Sequence, residues 1–387
     1  MDFRLTDEQS LVRDTAKEFV DKEIIPHVRE WEAKGEIPRS LYAKMAKLGF
    51  LGAPVPTKYG GAGMDYVSFA LFVEEISRGS SSVRTTISVQ TSLSETTLTL
   101  FGNEEQKEEW LVPLAKGEKF GAWALTEPEA GSDAANLQTS ARKEGDEWVL
   151  NGAKRFISNG SVADYVFVYA REPGTKRHEG LSCFMVPKGT PGFTVTKVET
   201  ATKLGLRASP TADLAFEDCR VPLDHLVGKR GNGWEQVMKT LNNGRLGIAA
   251  GAVGVARAAL EAATKYAQDR KAFNRPIGDF QLIREMIAES AMEIDAARLL
   301  TLRAAHLRDL GIDNTLEVSM AKLYGAQMAM RVTDRAIQIH GGYGFSGDFD
   351  VERYFRDARV LGLYEGTNEI QKLIIAERLL GPSRRKE

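Results

Sequence analysis

Apolar residues in the first part of the chain recur at intervals of three and four, which is the spacing of an amphipathic helix. Residues 11–25 show this pattern, and shorter stripes of the same kind follow at 41–48 and 67–76. Glycine and proline residues lie between the stripes, as they do in turns that separate helices. The pattern predicts that residues 7–116 are helical.

From about residue 117 the period of the apolar residues changes to two. Short runs rich in β-branched and aromatic residues, bounded by glycine and Asn-Gly pairs, lie at 147–150, 165–169, 181–186 and 193–196. Alternation of this kind, broken by turn residues, is typical of strands joined by tight connections. The pattern predicts a compact antiparallel β region that ends near Pro222.

After Gly233 the helical spacing returns. Residues 234–270, 281–310 and 315–340 contain no proline and are rich in Ala, Leu, Glu and Arg, which favours three long helices. A last helix at 368–380 has an N-cap candidate in Thr367 and a terminating Gly381. We therefore expect an α+β protein, mainly helical, with an N-terminal helical domain at 1–116, a middle antiparallel β domain at 117–230 and a C-terminal four-helix bundle at 231–387.

Composition excludes several classes of protein. Of the 387 residues 43% are hydrophobic and 27% charged, as in ordinary globular proteins. Lys and Arg number 51 against 53 Asp and Glu, with no basic block, which argues against nucleic acid as a partner. The longest uncharged stretch, 246–256, is well short of the roughly 20 residues of a membrane span. We expect no membrane insertion and, because Asp2, Asp7 and Glu8 lie where a signal peptide would be basic, a cytoplasmic protein.

Cysteine and histidine give no sign of a metal or disulfide scaffold. Cys183 and Cys219 are the two cysteines, without Cys-x-x-Cys spacing, and no two of the five histidines are four residues apart. Such spacings are the usual local signatures of zinc sites and disulfide frameworks. We expect buried free thiols and no metal.

Three segments have residues suited to chemistry. The loop at 126–133 follows an apolar run, and its hydroxyls and backbone N–H groups suit an anion or the edge of a heterocycle; an ordinary capped loop has the same composition. Residues 338–347 contain G-x-G-x-x-G, but after a helix rather than a strand, which disfavours a nicotinamide-binding Rossmann unit. That segment is either a glycine-rich helix end or a pyrophosphate contact.

The third segment, residues 363–371, places Glu365 in a turn before a helix. A carboxylate there can face a cleft, and burial then raises its pKa toward that of a general base. An acidic residue near the positive end of a helix dipole is the alternative interpretation. The chain has no G-x-S-x-G and no P-loop motif, so neither a hydrolase elbow nor a P-loop enzyme is supported.

Taken in order, these segments resemble the acyl-CoA dehydrogenase family over essentially the whole chain. Residues 124–133 resemble the first family signature, and residues 338–342 with 364–367 resemble the second. The resemblance implies the three-domain fold expected above and an FAD enzyme of fatty acid β-oxidation. A carboxylate would remove a proton from C2 of an acyl-CoA, the C3 hydride would pass to flavin N5, and an electron-transferring flavoprotein would take the electrons. It also implies a homotetramer built as a pair of dimers.

By this resemblance Glu365 is the catalytic base, and its backbone N–H helps to hold the thioester oxygen. Some branches of the family place the base on a bundle helix, at the position that Gly244 occupies here, and glycine cannot act as a base. Arg245 then resembles a contact for the CoA part. The substrate-binding set that the resemblance implies is Arg84, Ser88, Ser132, Asn242, Asn243, Gly244, Arg245, Tyr364 and Gly366.

The resemblance also implies a cofactor-binding set in two groups. Around the flavin ring and the adjoining loop it places Trp123, Leu125, Thr126, Gly131, Ser132, Phe156 and Ser158. The FAD pyrophosphate and adenine would be bound partly by a neighbouring subunit, through Arg270, Phe273, Gln281, Gln338, Gly341 and Gly342, with Thr367 and Glu369 at the adenine end.

The sequence identifies the acyl group of the substrate less clearly. Residues 240–250 resemble the short-chain, or butyryl, branch, whereas Arg84 and Ser88 occur at the pocket floor of the glutaryl-CoA dehydrogenase branch as well. The acid that accompanies this arginine in the glutaryl branch is replaced by Ser77, so Arg84 is either a pocket residue or an ordinary helix arginine.

Three other functions remain as alternatives: glutaryl-CoA dehydrogenase, acyl-CoA oxidase and a non-catalytic flavin- or acyl-CoA-binding protein. Oxidases are usually much longer chains. The intact Glu365, Thr126 and Ser132 argue against a non-catalytic protein.

Overall fold

The computed structural model describes residues 4–381. The extreme ends of the first and third predicted domains, residues 1–3 and 382–387, lie outside the described residues. The N-terminal part is helical, which confirms the prediction for residues 7–116. Its helices are α1 Asp7–Phe19, α2 Val28–Lys34, α3 Arg39–Lys47, α4 Tyr66–Gly79, α5 Ser81–Ser88, α6 Glu95–Phe101, α7 Glu104–Gln106 and α8 Val112–Ala115, with wider π-type turns at Val20–Ile24, Val89–Ser94 and Lys107–Leu111.

Helix α4 lies at the centre of the N-terminal part. Asp65 caps it by accepting a hydrogen bond from the Ser68 backbone N–H at 2.6 Å. Every residue from Val67 to Gly79 is buried, and a helix buried on all sides has neighbours all round. These neighbours are α1, α5 and helices of the C-terminal part, so α4 joins the two helical regions.

The middle part is a single eight-stranded sheet. Its strands are β1 Gly121–Ala124, β2 Ser140–Glu144, β3 Glu147–Ser158, β4 Tyr165–Arg171, β5 Leu181–Pro187, β6 Phe193–Glu199, β7 Thr211–Pro222 and β8 Leu226–Val227. The sheet order is β6-β7-β3-β2-β4-β5-β8, with β1 paired to β4. Neighbouring strands along most of the sheet are antiparallel, as predicted.

Strand β1 departs from the antiparallel prediction. It runs parallel to β4, with Gly121 opposite Tyr165, and a single parallel pair also joins Ser140 of β2 to Arg171 of β4. Parallel neighbours need a long connection, and the β2–β3 hairpin supplies it. All four residues of β1 are buried, as is usual for parallel strands, which are covered on both faces. Cys183 and Cys219 are buried, free thiols, as expected.

The C-terminal part contains the four predicted helices and a further short helix at Val351–Ala358 that was not predicted. They are α9 Gly233–Asp269, α10 Gln281–Asp309, α11 Thr315–His340, α12 Val351–Ala358 and α13 Asn368–Leu380, with a small ribbon of β9 Lys271–Ala272 and β10 Arg275–Pro276 between α9 and α10. Thr367 caps α13 by accepting from the Ile370 N–H at 3.3 Å, and Gly381 ends it. Both end signals in the sequence are therefore confirmed.

Helix α9 is long and apolar enough to span a membrane by length and composition, with a mean hydropathy of 1.4 over its most apolar window. Within this structure, however, 78% of that window is buried. It packs against α4, α10 and α11. The apolar residues of α9 are therefore part of the protein core.

Four glycine residues lie along one face of α9. Gly244, Gly247, Gly251 and Gly254 follow at intervals of three, four and three residues, which places them along one side of a helix. At Gly254 an added Cβ would come less than 3.0 Å from the Glu74 backbone oxygen of α4. This face therefore lets α9 approach the α4–α5 segment at backbone distance.

A cluster of buried ion pairs lies at the same contact between α4 and α9. Glu74, 5% exposed, accepts from Arg257 of α9 at 2.7 Å and from Arg298 of α10 at 2.8 Å. Glu75 accepts from Arg257 at 2.5 Å and from Arg78 at 2.9 Å. Buried carboxylates need such partners, because leaving one unpaired is strongly destabilising. The cluster fixes the position of α4 against the C-terminal helices.

Replacing Gly254 by alanine should destabilise the protein, because the new methyl group collides with backbone that cannot rotate away. Overpacking of this kind costs about 1–3 kcal/mol, occasionally more, which exceeds the usual helical gain of Gly→Ala. Thermal unfolding of Gly254→Ala measures it. Gly247→Ala is the matched control, since its Cβ would meet neighbours at 3.4 and 3.5 Å; equal melting temperatures for the two variants would contradict the close helix contact.

Candidate active site

Glu365 lies in a left-handed turn between the 3-10 turn Arg359–Gly362 and α13. Its φ is +53°, and the following Gly366 has φ +90°. A non-glycine residue adopts this conformation at some energetic cost, and such residues cluster at functional sites. The turn places Glu365 in the wall of a cavity of about 450 Å³ that lies between the sheet and the helices.

Burial raises the pKa of Glu365 to about 7, although three cationic side chains oppose the rise: Arg84, Arg245 and Lys322. Its Oε2 atom has no hydrogen-bond partner among the described residues. A carboxylate whose pKa lies near neutrality and whose oxygen is free can accept a proton from a ligand. This is the property expected of a general base.

The glycine face of α9 makes room for this carboxylate. A Cβ added to Gly244 would lie less than 3.0 Å from Glu365 Oε2 and 3.1 Å from a Leu93 methyl carbon. Gly244 and Glu365 are thus brought together from distant parts of the chain. A side chain at position 244 would occupy the space in which the Glu365 carboxylate lies.

Arg84 occupies the wall of the same cavity and is 1% exposed. One of its terminal N–H groups donates a hydrogen bond to the Tyr364 hydroxyl, and its Nε lies 3.0 Å from where a Cβ of Gly251 would be. Within residues 4–381 Arg84 forms no salt bridge with a carboxylate. A buried guanidinium in that state favours a negatively charged or polar group in the cavity.

Side chains of the sheet form the opposite wall. Trp123 and Leu125 lie at the end of β1, and the Trp123 Nε1–H donates to the Thr97 hydroxyl at 3.2 Å. Phe156 lies at a break in the β3–β7 register, with φ +59° and 58% exposure. The break turns its ring toward the cavity, where Ser158 also lies.

A buried ion pair fixes the loop that follows β1. Lys154 of β3 donates to Glu127 Oε1 at 2.7 Å and to the Leu125 carbonyl at 3.1 Å. Glu127 also accepts from the backbone N–H groups of Gln138 and Thr139, at 2.5 and 2.9 Å. Burial lowers the pKa of Lys154 to about 8. The pair holds Leu125 and its neighbour Thr126 at the edge of the cavity.

Most of the predicted site residues lie in this single cavity. The lining includes Arg84, Ser88, Trp123, Leu125, Thr126, Gly131, Ser132, Phe156, Ser158, Arg245, Tyr364, Glu365, Gly366 and Thr367. The lining also includes residues that were not predicted: Thr85, Val89, Leu93, Ala134, Trp234, Met238, Leu241, Leu363, Ile370 and Ile374. Apolar, flat side chains beside the hydroxyls of Thr126 and Ser158 fit a flat heterocycle with polar edges, such as a flavin.

Three predicted substrate contacts, Gly244, Asn242 and Asn243, are not among the residues that line this cavity. Asn242 donates to the Asn314 side chain at 3.0 Å, and Asn243 donates to the Thr96 hydroxyl at 2.6 Å. Both side chains connect α9 to neighbouring segments. Their side-chain amides therefore form hydrogen bonds within the protein, whereas Arg245, from the same helix, lines the cavity.

Part of the second group of predicted cofactor residues lines another cavity, of about 590 Å³, at the end of α11. Arg270, Gly341 and Gly342 line it. Phe273 is 89% exposed, and Gln281 and Gln338 are exposed as well. Glu369 is exposed and lines neither cavity.

The sequence analysis missed two residues that hold the Glu365 turn. Lys322 is 0% exposed and donates to the Gly366 carbonyl at 2.7 Å. Gln371, also 0% exposed, donates to the same carbonyl at 3.2 Å. One signal was available: Lys322 lies on the stripe of Val318 and Ala326, so a charged residue occupies a core position of a helix.

Models of three consecutive domains match the chain. They are described as the N-terminal, middle and C-terminal domains of acyl-CoA dehydrogenase and match residues 6–118, 122–219 and 231–380. Together the three matches account for most of the sequence.

Individual proteins match over nearly their whole length. The chain is 45% identical to the short-chain specific acyl-CoA dehydrogenase of Clostridium acetobutylicum, covering 98% of this chain and 100% of that protein. A chain from a structure of the electron transferring flavoprotein of Acidaminococcus fermentans is 43% identical, with a TM-score of 0.96 and coverage of 99% and 100%. Butyryl-CoA dehydrogenase from Megasphaera elsdenii is 42% identical, with a TM-score of 0.95 and coverage of 98% and 100%.

Gly244→Ala should reduce acyl-CoA oxidation by about 100-fold, because the methyl group displaces the Glu365 carboxylate and a displacement of about 1 Å can cost that much in rate. Steady-state kinetics and a melting curve measure the effect. The melting temperature should change little, since the colliding atom ends a flexible side chain. Gly247→Ala on the same helix is the control; a Gly244→Ala enzyme as active as that control would contradict the described position of the carboxylate.

Proposed function

Since the chain belongs to the acyl-CoA dehydrogenase family and is an acyl-CoA dehydrogenase, we propose that it oxidises short straight-chain acyl-CoA thioesters between C2 and C3, with Glu365 as the base. The observation that carries this proposal is the free Glu365 Oε2 in the wall of the cavity. The 45% identity to a short-chain specific relative supports the acyl length.

Removal of the C2 proton requires a well-positioned base, because the C2 proton of a thioester is only weakly acidic. Glu365 takes this proton onto its carboxylate, and with a pKa of about 7 about half of it is ionised at neutral pH. A positioned base of matched pKa contributes about 10²–10⁴-fold to the rate. The Glu365 backbone N–H is the proposed donor to the thioester oxygen, where a donor is worth about 10²–10³-fold.

The family uses FAD, and when bound it supplies the acceptor for the hydride that leaves C3. Trp123, Leu125, Thr126, Phe156 and Ser158 would hold its ring system against the sheet. Arg270, Gly341 and Gly342, which line the cavity beside α11, would hold the pyrophosphate and adenine of a second subunit's FAD within a homotetramer of two dimers. Exposure of Phe273 at 89% supports an interface there.

We further propose that the electrons leave through an electron-transferring flavoprotein. Support comes from the similarity, at 43% identity, to a chain from the electron transferring flavoprotein structure of Acidaminococcus fermentans. An enzyme that uses oxygen would instead form peroxide with substrate under air.

Glu365→Gln should keep bound yellow flavin and lose substrate-dependent flavin reduction by several orders of magnitude, because the amide cannot accept the C2 proton. Anaerobic stopped-flow absorbance with butyryl-CoA measures the reduction. Glu377→Gln, at an exposed position of α13, the helix that follows the Glu365 turn, is the control. Near-normal reduction in Glu365→Gln would refute the assignment of the base.

A dicarboxylic acyl-CoA such as glutaryl-CoA is the second candidate substrate. The observation that favours it is Arg84, which is buried in the cavity wall without a carboxylate partner in the described part of the chain. A distal carboxylate on the acyl group would supply that partner. Ser88, in the same wall, is a hydroxyl available to the same group.

If the substrate is dicarboxylic, Arg84→Ala and the larger Arg84→Met should lose activity with glutaryl-CoA by about 10²-fold or more relative to butyryl-CoA, since truncating one partner of a buried charge pair costs about 2–5 kcal/mol. The ratio of kcat/KM for the two thioesters measures the effect. An unchanged ratio in both variants would exclude the dicarboxylic substrate and leave the monocarboxylic one.

A further inference from the structure

The turn that carries the base is held in place by contacts from outside it. Glu365 and Gly366 both have positive φ angles, +53° and +90°. Glycine adopts such angles readily, whereas a non-glycine residue such as Glu365 keeps one only where the surroundings impose it. A Cβ on Gly366 would lie 2.6 Å from Gln371 Nε2. The turn is therefore tightly enclosed on the side of α13.

Two buried donors reach the carbonyl groups of this turn from different helices. Lys322 of α11 donates to the Gly366 carbonyl at 2.7 Å. Gln371 of α13 donates to the Gly366 and Glu365 carbonyls at 3.2 and 3.4 Å. A neutral donor is thus already present, so the hydrogen bond alone does not account for a lysine at position 322.

The charge of Lys322 lacks a close partner. Its side chain is 0% exposed, and no carboxylate of residues 4–381 lies within salt-bridge distance of its Nζ. A buried ammonium group is expensive unless it interacts with opposite charge, and the strongest attraction on Lys322 comes from Glu365. Burial lowers the pKa of Lys322 to about 8, above that of Glu365.

The other elements around Glu365 contribute further charged or titratable groups. They are Arg84 from α5, Arg245 from α9, Tyr364 from the turn itself and Glu369 from α13. Only Lys322 among the cations also holds the backbone of the turn, so it couples the position of the base to its charge state.

We propose that Lys322 is a positioning residue for the base: its ammonium group holds the Gly366 carbonyl, and its charge favours the ionised form of Glu365. The proposal rests on the proposed role of Glu365. It implies that Lys322 acts without touching the substrate.

Two variants separate the hydrogen bond from the charge. Lys322→Gln keeps a donor and removes the charge. Lys322→Met removes both and introduces no polar group into the buried site, so it also serves if Lys322→Gln does not fold. In the flavin-loaded enzyme the acid limb of the kcat/KM profile should move up by about one pH unit in both variants, as expected for loss of a nearby opposite charge. The plateau kcat should fall at least tenfold in Lys322→Met only, with KM for butyryl-CoA little changed.

Lys203→Gln is the matched control, because Lys203 also donates its ammonium group to a backbone carbonyl, that of Ser209, and burial lowers its pKa to about 8. It should lower the melting temperature without moving the pH profile. If the Lys322 variants behave in the same way, the lysine is merely structural and the proposal is wrong. The Glu365→Gln enzyme in the same series tests the base separately, so failure of one proposal is distinguishable from failure of the other.

Discussion

The close approach of α9 to the α4–α5 segment is the constraint on which the rest of the structure depends. At Gly254 the two backbones meet, and the Glu74 ion pairs fix the separation. Further along the same face, at Gly251 and Gly244, the space that glycine leaves is filled by Arg84 and Glu365. The glycine face of α9 thus allows the two helical regions to pack closely and also leaves room for Arg84 and Glu365.

The second organising feature is the excess of positive charge around one carboxylate. Arg84, Arg245 and Lys322 surround Glu365, yet burial still raises its pKa to about 7. Desolvation outweighs the attraction there, and each depends on the packing that excludes water. The Lys154–Glu127 pair is different, because its charges are in direct contact at 2.7 Å and serve to hold a loop.

Local signals predicted much of this structure. The ends of α13 at Thr367 and Gly381 follow from capping chemistry, and the long helices follow from spacing and the absence of proline. Resemblance to a family supplied most of the residues that line the main cavity. The parallel direction of β1 and the packing role of Asn243 depend on contacts between distant segments, which no local pattern records. Lys322 was missed because its partner is a backbone carbonyl, and carbonyls are the same in every sequence.

Rotamers are one way in which a binding cavity adapts to its ligand, and the glycine face of α9 has none. Its atoms belong to the backbone of a helix of 37 residues that packs against α4, so the space that it leaves for Arg84 and Glu365 cannot be enlarged by rotating a side chain. Adjustment to a longer or branched acyl chain falls instead to side chains that line the cavity and can rotate, such as Ser88 of α5 and Met238 of α9. Selection for a different substrate would therefore act on these side chains before it acted on the glycine face.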